Sequence, residues 1–561
     1  MSTVATPRAS QAQTESLAPI GLAVLSALPL AACGGGGDAA APAPAPPPVS
    51  PDPNPTDAQA SRFLGQASMG ASKALIADVK RLGYDAWLSQ QMALPREQSR
   101  WDWLIAKGYD VIDNRTNQTG FDPVAWRKLV GGSDTLRQRV TLALSEIIVV
   151  GIDGVNGAWR QFAAAQWLDT LEEHAFGNLR TLLAAVSRNL TMGYYLTFRG
   201  NAKANATNGS SPDENYAREL MQLFMIGLQE LNEDGTLKLT NGQPQETYTQ
   251  ADISGLARVF TGWDMDLAGG DTQTPQYYRR PMRQVDSRYE TGAKTFMGLT
   301  IPAGTDAVTG LNQALDHLYA HPNVAPFWSR QLIQRLVTSN PSPAYVRRVA
   351  RVFANDGSGQ RGNLAAVLRA ILLDAEARDA AGLTQPGFGK LREPLLRFTG
   401  WARACGAQSP SDAWAIGNTS DAATRLGQSP LRSPSVFNFF RPGYVPPNSA
   451  IGSAGLVAPE FQITHESSVV GYLNFMQSVI TNGRGDVRAD YAPLLPLADD
   501  PVALVAELDL LLAAGQLSTA TRKTISDAVA TLPTGTDSQR TSRVQAALLM
   551  VMACPEYLVQ K

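Results

Sequence analysis

The sequence predicts an all-α protein, with one large multi-helix body and at most a small β-hairpin, preceded by a signal peptide and a disordered linker. Two observations support this prediction. The chain has 561 residues and is 44% hydrophobic, which is enough to bury a large core. After residue 56, hydrophobic residues recur mostly every three or four positions, which is the spacing of one face of a helix.

The charge of the chain limits its partners. It has 48 Lys and Arg against 50 Asp and Glu, a formal net charge of -2. Such a chain lacks the basic field that neutralises phosphates, so we expect no nucleic acid among its partners. With 4 His and 3 Cys, zinc-finger and disulfide-scaffold folds are also excluded.

Residues 1–32 are predicted to be a lipoprotein signal peptide. Residues 17–32 are apolar and uncharged, and they are too short and too interrupted by proline to span a bilayer. They lead into Leu-Ala-Ala-Cys at residues 30–33, which resembles a bacterial lipobox. We expect cleavage before Cys33 and a lipid on its thiol. Because Gly34 rather than Asp follows, we expect anchoring in the outer membrane of the cell envelope.

Residues 33–56 are predicted to be a disordered tether. Gly, Ala and Pro dominate this segment, and few of its side chains could be buried to offset the entropy of ordering the backbone. Its proline repeats favour an extended conformation. The segment would hold the folded body away from the lipid.

Residues 57–561 form the predicted helical body, either as a single unit or as two tightly packed subdomains with a seam near residues 379–389. Residues 134–150 are a typical helix of this body, with Asp134 as the expected cap. The best strand signal is in residues 231–248, where Asp-Gly and Asn-Gly turn dipeptides flank short alternating runs. We expect a small hairpin there.

The densest polar segment of the body begins at residue 211. Ser211 is the expected helix cap, Pro212 the first helical residue, and Glu214 the partner in a capping box. Glu214 and Arg218 are four residues apart and can pair on the helix surface.

This turn is the first candidate site. Glu214, Arg218 and Glu219 are candidate catalytic residues, because paired carboxylates can perform general acid and base chemistry. Asn215 is a candidate binding residue. The alternative is that the same charges form a structural ion pair between this helix and its neighbours.

A second helix is predicted in residues 247–263, with Thr249 as its cap. Asp252 and Arg258 are candidate catalytic residues that could line a cleft beside the first turn. Trp263 is a candidate binding residue, since its ring could stack on a sugar or another planar group. The alternative is that Trp263 fills volume in the core.

No motif indicates a metal or another cofactor. His317 and His321 have the spacing of a metal-binding pair on a helix, but the run between them lacks the glutamate that a zinc peptidase needs. We therefore expect structural histidines at a helix end. Cys405 and Cys554 could form a disulfide or remain free thiols.

The two polar segments, in this order, resemble the uncharacterised bacterial family known as domain of unknown function 1800. The resemblance extends through GKLREPLLRF, SPSVFNFFRPGYVPP, LVAPEFQI and ACPEYLVQ and so covers nearly the whole body. It implies an exported, largely helical bacterial protein. It also implies a possible partner protein from a neighbouring gene, of an exported family that looks like a sulfatase or alkaline phosphatase. It supplies no catalytic residues.

The sequence therefore favours a lipid-anchored envelope protein that binds an extracellular partner protein or polymer. One alternative is an envelope hydrolase, or another polymer-active enzyme, that uses the acidic and arginine cluster. Another is a structural component of a surface assembly. The enzyme requires the polar groups to converge in a pocket with a shifted carboxylate pKa.

Overall fold

The structure is a computed structural model that describes residues 54–561. The first helix begins at Asp57, where Thr56 and Gln59 form a capping box. This is the first residue of the predicted body. The predicted signal peptide, Cys33 and nearly all of the predicted tether lie outside the described residues.

Helices make up 54% of the described residues, as the hydrophobic spacing predicts. The first nine helices of the described chain are α1 (Asp57–Ala67), α2 (Lys73–Leu82), α3 (Tyr84–Ala93), α4 (Arg100–Ala106), α5 (Phe121–Trp126), α6 (Thr135–Ile147), α7 (Arg160–Glu173), α8 (Leu179–Val186) and α9 (Leu190–Tyr195). The next two carry the predicted polar segments: α10 (Asn215–Glu219) and α11 (Gln250–Ala257).

The remaining helices follow a region of short strands. They are α12 (Ala307–Ala320), α13 (Val324–Leu336), α14 (Pro343–Ala354), α15 (Leu364–Leu373), α16 (Ala375–Arg378), α17 (Ala381–Thr384), α18 (Pro394–Ala404), α19 (Ala450–Ser453), α20 (Glu466–Asn482), α21 (Pro501–Leu508), α22 (Thr519–Ala530), α23 (Asp537–Ala553) and α24 (Pro555–Leu558). Three π-helical turns extend α5, α10 and α21: Arg127–Gly131, Leu220–Met225 and Asp509–Ala513.

The strands are two or three residues long and pair antiparallel in twos. The pairs are β1 (Leu239–Thr240) with β2 (Gln243–Pro244), β3 (Trp263–Asp264) with β4 (Arg283–Gln284), β5 (Lys294–Phe296) with β6 (Leu299–Ile301), and β7 (Lys390–Leu391) with β8 (Val559–Gln560). Asn241 and Gly242, the turn between β1 and β2, both have positive φ, as a tight hairpin turn requires. The predicted hairpin is confirmed.

Helix α6 is the centre of the core, because all of its residues are buried. Asp134 precedes it, but its side chain does not cap the backbone and instead accepts a hydrogen bond from Gln138 Nε2 at 3.0 Å. The predicted capping role of Asp134 is therefore wrong. An amide group without a hydrogen-bond partner is unfavourable in the core, and the Asp134 carboxylate is the partner of the Gln138 amide.

Charged side chains from several elements meet beside α6. Arg335 on α13 lies 3.5 Å from Glu146 on α6, and Lys390 Nζ lies 3.4 Å from Glu393 and 3.0 Å from Glu460. All five side chains are buried. Buried charges persist only when they are paired, so this network fixes how these elements meet.

The described residues lie in one compact unit. The segment predicted as a seam, residues 379–389, contains α17 and leads into β7, and it does not divide the described chain. None of the helices in the described part of the chain combines the length and the apolar character needed to cross a membrane.

Candidate functional site

The acidic turn, which we define as Glu214, Arg218 and Glu219, lies where α10 meets α11. Glu214 Oε2 accepts hydrogen bonds from Arg218 Nη2 at 3.1 Å and Gln250 Nε2 at 2.8 Å, and Oε1 accepts one from Ser254 Oγ at 2.6 Å. The bond from Ser254 is the largest cause that lowers the pKa of Glu214. The predicted pair of Glu214 and Arg218 is confirmed, and it ties α10 to α11.

The predicted start of this helix at Ser211 is wrong. Helix α10 begins at Asn215, and residues 211–214 are not helical. The side chain of Asp213 accepts a hydrogen bond from the Asn215 backbone at 2.8 Å, while Asn201 bonds both the N–H and the carbonyl of Asp213. These contacts hold the preceding chain away from the helix. The Asn215 side chain donates to Thr197 Oγ1 at 3.4 Å.

Glu219 has a different environment from Glu214. Only 7% of the residue is exposed, and its Oε2 has no hydrogen-bond partner among the described residues. Burial raises the pKa of Glu219, and the positive charge of Arg218 offsets this only in part. The acidic turn therefore carries two carboxyl groups whose pKa values are shifted in opposite directions.

Asp252 and Arg258 do not join the acidic turn. Thr249 caps α11 as predicted, Asp252 completes a capping box with it, and Asp252 Oδ1 accepts a hydrogen bond from the Met297 N–H at 2.5 Å. Arg258 forms an ion pair with Glu290 at 3.3 Å. Neither side chain bonds to a residue of the acidic turn, so the sequence-predicted cluster is divided.

Trp263 belongs to the core and is not available as a stacking platform. Its side chain is fully buried, and its Nε1 donates to the Val259 carbonyl at 3.3 Å. The guanidinium of Arg188 lies 5.7 Å from the ring centroid. The core alternative for Trp263 is therefore correct, because a ligand cannot reach the ring face.

A cavity of about 450 Å³ is lined by residues from the segment of α11 and from the end of α12. Asp252, His317 and His321 line it with Tyr248. His317 Nε2 lies 2.9 Å from the Met297 carbonyl, and His321 Nδ1 accepts from the Asn323 N–H at 3.1 Å. Both histidines thus have structural hydrogen bonds. Among the described residues, no group of three or more His, Cys, Asp or Glu is placed to hold a metal ion.

Both cysteines in the described range are free thiols, and Cys405 is buried. Burial raises the pKa of the Cys405 thiol to about 12. A thiol with such a pKa is protonated at neutral pH and is a poor nucleophile.

A second cavity, of about 440 Å³, lies at the start of α7 and was not predicted. We call it the arginine cavity, because its charged lining residues are Arg115, Arg160 and Arg199. Among the described residues that line it, none is acidic. A lining with three guanidinium groups and no carboxylate attracts an anion.

The three arginines are only partly neutralised. Arg115 donates to the carbonyl and hydroxyl of Thr272 at 3.0 and 2.9 Å, and both acceptors are neutral. Arg199 bonds Asp264 at 2.7 Å, but Arg288 bonds the same carboxylate at 2.7 Å. Arg160 forms no ion pair or side-chain hydrogen bond with any described residue. Positive charge therefore remains in the cavity.

The backbone around this cavity is tightly specified. Trp159, the residue before α7, has φ of 58° and is fully buried, although a bulky residue rarely adopts a left-handed conformation. Its N–H donates to the Arg115 carbonyl at 2.7 Å, and its Nε1 donates to the Thr272 carbonyl at 3.1 Å. These bonds connect three distant chain segments and place Arg115 beside Arg160.

No sequence signal identifies this cavity. Its arginines come from separate segments, and each one alone is an ordinary surface residue. Only the tertiary contacts of Trp159 and Thr272 bring them together.

Comparison with known proteins gives one family. The family model described as protein of unknown function (DUF1800) matches residues 62–559. No curated protein and no solved structure matches the chain.

Proposed function

The chain belongs to the DUF1800 family of unknown function, and from that premise we propose that it is a lipid-anchored bacterial envelope protein that binds an acidic polysaccharide. The observation that carries the proposal is the arginine cavity, which has three guanidinium groups and no acidic lining residue. Arginine is suited to this role because its planar guanidinium donates two parallel hydrogen bonds to a carboxylate.

The rest of the lining favours a sugar polymer over a simple inorganic anion. Thr116, Asn156 and Thr272 supply hydroxyl and amide groups, and Tyr194 supplies a half-buried aromatic ring. Such groups form hydrogen bonds with sugar hydroxyls and pack against sugar rings. A polyphosphate would use only the positive charge.

The chemistry of the lining also favours a polymer over a partner protein. A large contiguous apolar patch on a surface marks a site for a protein partner, whereas three arginines and the polar side chains of Thr116, Asn156 and Thr272 line this cavity. A partner protein from a neighbouring gene remains a testable alternative. Its co-purification with the full-length chain, in an amount that Arg160→Gln does not change, would favour that alternative.

The ligand is tested by calorimetric titration of the full-length protein in detergent. The probes are oligogalacturonate, polyphosphate and a neutral glucose oligomer. We expect oligogalacturonate to bind, the neutral oligomer not to bind, and salt to weaken the binding. Arg160→Gln should weaken it at least about tenfold, because a charge-assisted hydrogen bond is lost. Equal binding of the neutral oligomer, or preference for polyphosphate, would contradict the proposal.

The anchoring part of the proposal rests on the lipobox-like tetrapeptide and the tether composition. Cys33→Ser should release the protein from the membrane fraction or leave the precursor uncleaved. Intact mass of the protein from its native host checks the lipid directly. Separation of inner and outer membranes checks the expected outer-membrane location.

One observation favours the hydrolase alternative. In the acidic turn, the pKa of Glu214 is lowered and that of Glu219 is raised. General acid and base catalysis uses two carboxyl groups whose pKa values differ in this way. Glu219→Gln would then abolish cleavage of a bound polymer while the melting temperature stays nearly unchanged. If the protein is instead a structural component of a surface assembly, it should neither bind nor cleave these probes.

A further inference from the structure

The three arginines of the arginine cavity differ in how their side chains are held. Arg199 Nη1 lies 2.7 Å from Asp264 Oδ1, and this carboxylate offsets part of the charge of Arg199. Arg160 has no side-chain partner among the described residues. Arg115 donates two hydrogen bonds, and both acceptors are uncharged. Of the three, Arg115 therefore combines a fixed position with a charge that no bonded carboxylate offsets.

Both hydrogen bonds of Arg115 lie on the same edge of its guanidinium group. Nε donates to the Thr272 carbonyl at 3.0 Å, and Nη2 donates to Thr272 Oγ1 at 2.9 Å. In the planar guanidinium, these two nitrogens share one edge, and Nη1 forms a second edge with the other N–H of Nη2. We call this second edge the terminal edge. It has no partner among the described residues, and its two parallel N–H groups match the two oxygens of a carboxylate.

Thr272 is itself held by a buried residue. Its carbonyl also accepts a hydrogen bond from Trp159 Nε1 at 3.1 Å, and Trp159 is fully buried. The Trp159 N–H in turn donates to the Arg115 carbonyl at 2.7 Å. The backbone and the guanidinium of Arg115 are thus tied to the same pair of residues. A side chain that is already ordered costs a ligand less to bind, because its conformational freedom is lost before binding.

We infer that Thr272 is a positioning residue of the arginine cavity. It occupies one edge of the Arg115 guanidinium and presents the terminal edge to a carboxylate of the acidic polysaccharide. This inference rests on the proposed function and deepens it, because it states how the acid group is recognised. The carboxylate lies in the plane of the Arg115 guanidinium and accepts two parallel hydrogen bonds, while Thr272 acts through Arg115.

The first test is Thr272→Val. This change removes the hydroxyl acceptor, nearly preserves the size of the side chain, and leaves the carbonyl that Trp159 binds. Oligogalacturonate is titrated calorimetrically into the full-length protein in detergent. We expect the affinity to fall about three- to tenfold, because Arg115 must then be ordered by the ligand. Thr272→Ser keeps the hydroxyl and should bind with normal affinity.

A double-mutant cycle separates positioning from other roles of Thr272. Arg115→Gln removes the group that Thr272 holds, so adding Thr272→Val to this variant should have no further effect on affinity. A direct hydrogen bond from Thr272 to the sugar, or a general loosening of its loop, would weaken binding by the same factor in both backgrounds. That result would overturn the inference. Arg115→Lys provides a second background with measurable affinity, because it keeps the charge but has no planar edge to be held.

Thr274→Val is the matched control. Thr274 is exposed, its side chain caps no helix, and it does not line the arginine cavity. This variant should bind like the unmodified protein, and melting curves show whether each variant is folded. Normal binding by a folded Thr272→Val protein would overturn the inference while the proposed function stands. If the unmodified protein does not bind oligogalacturonate, or if binding does not depend on Arg160, the proposed function itself fails.

Discussion

Glu146 and Glu393 are two buried carboxyl groups that interact with each other within the charged network beside α6. Burial, followed by the negative charge of Glu393, raises the pKa of Glu146 well above its ordinary value. Burial alone would also raise the pKa of Glu393, but the positive charge of Lys390 lowers it. A proton on this pair is therefore bound more tightly by Glu146, whose two carboxyl oxygens have no hydrogen-bond partner among the described residues.

This proton makes stability depend on pH. In the unfolded chain Glu146 releases its proton at a pKa of about 4.3, whereas the folded protein retains it. The free energy of unfolding therefore decreases as the pH rises above about 4.3. The decrease is up to about 1.4 kcal/mol per pH unit until the pKa of Glu146 in the folded protein is reached. Glu146→Gln keeps a donor toward Glu393 and cannot ionise. We expect the stability of the unmodified protein minus that of the variant to decrease between about pH 5 and about pH 7.

Urea denaturation at a series of pH values measures this difference. A difference that stays constant across the series would show that Glu146 is ionised in the folded protein.

Lys390 should be essential for folding stability. It is the cation between Glu393 and Glu460, and it also donates to the Arg335 carbonyl at 2.9 Å. Lys390→Met leaves two buried carboxylates without this charge, so we expect a loss of about 3–5 kcal/mol in the free energy of unfolding. Urea denaturation measures it.

The control for Lys390 is Lys523→Met. Lys523 forms an ion pair with Asp527 at 2.8 Å on the exposed face of α22, and exposed pairs contribute little. We expect a change of less than about 1 kcal/mol. Similar losses in the two variants would mean that the buried network does not stabilise the fold.

The two predicted helix caps should differ in their effect on stability. Thr249 caps α11 through a complete capping box, so Thr249→Ala should cost about 1 kcal/mol. Ser211 is exposed and precedes no helix directly, so Ser211→Ala should change stability by less than about 0.5 kcal/mol. Thermal melting followed by circular dichroism compares them, and a larger effect at Ser211 would contradict the observed start of α10.

Gly157 should be required for ligand binding. A Cβ at this position would lie 2.5 Å from the Tyr278 hydroxyl and 3.1 Å from the Tyr194 ring, so both tyrosines would have to move. Because Gly157 and Tyr194 both line the arginine cavity, Gly157→Ala should weaken oligogalacturonate binding at least about tenfold. Calorimetric titration checks this.

Gly443→Ala is the control for Gly157, because an added Cβ there meets no atom within 4 Å. It should leave the affinity unchanged. Normal binding by a folded Gly157→Ala protein would argue that this part of the arginine cavity has no role in binding.

The parts of the fold that depend on local chemistry could be predicted from the sequence. The Asn241-Gly242 hairpin and the Thr249 cap need only neighbouring residues, and both are observed. Ser211 shows the limit of this approach, since Asn201, 12 residues before Asp213, binds the Asp213 backbone and overrides a favourable local sequence.

The candidate site was less predictable for the same reason. Glu214 and Arg218 lie on one helical turn, so their pairing follows from spacing alone. The arginine cavity depends on Trp159 and its bonds to the segments of Arg115 and Thr272. Such long-range contacts leave no periodic pattern in the sequence.

The pairing of β7 with β8 has a consequence for how the protein is made. Gln560 pairs with Lys390, and the backbone carbonyl of Lys561 accepts a hydrogen bond from Arg62 on α1. These contacts join residues that are synthesised far apart in time. A nascent chain cannot form these contacts until residues 559–561 have left the ribosome, so folding is expected to be slow compared with a chain of mainly local contacts.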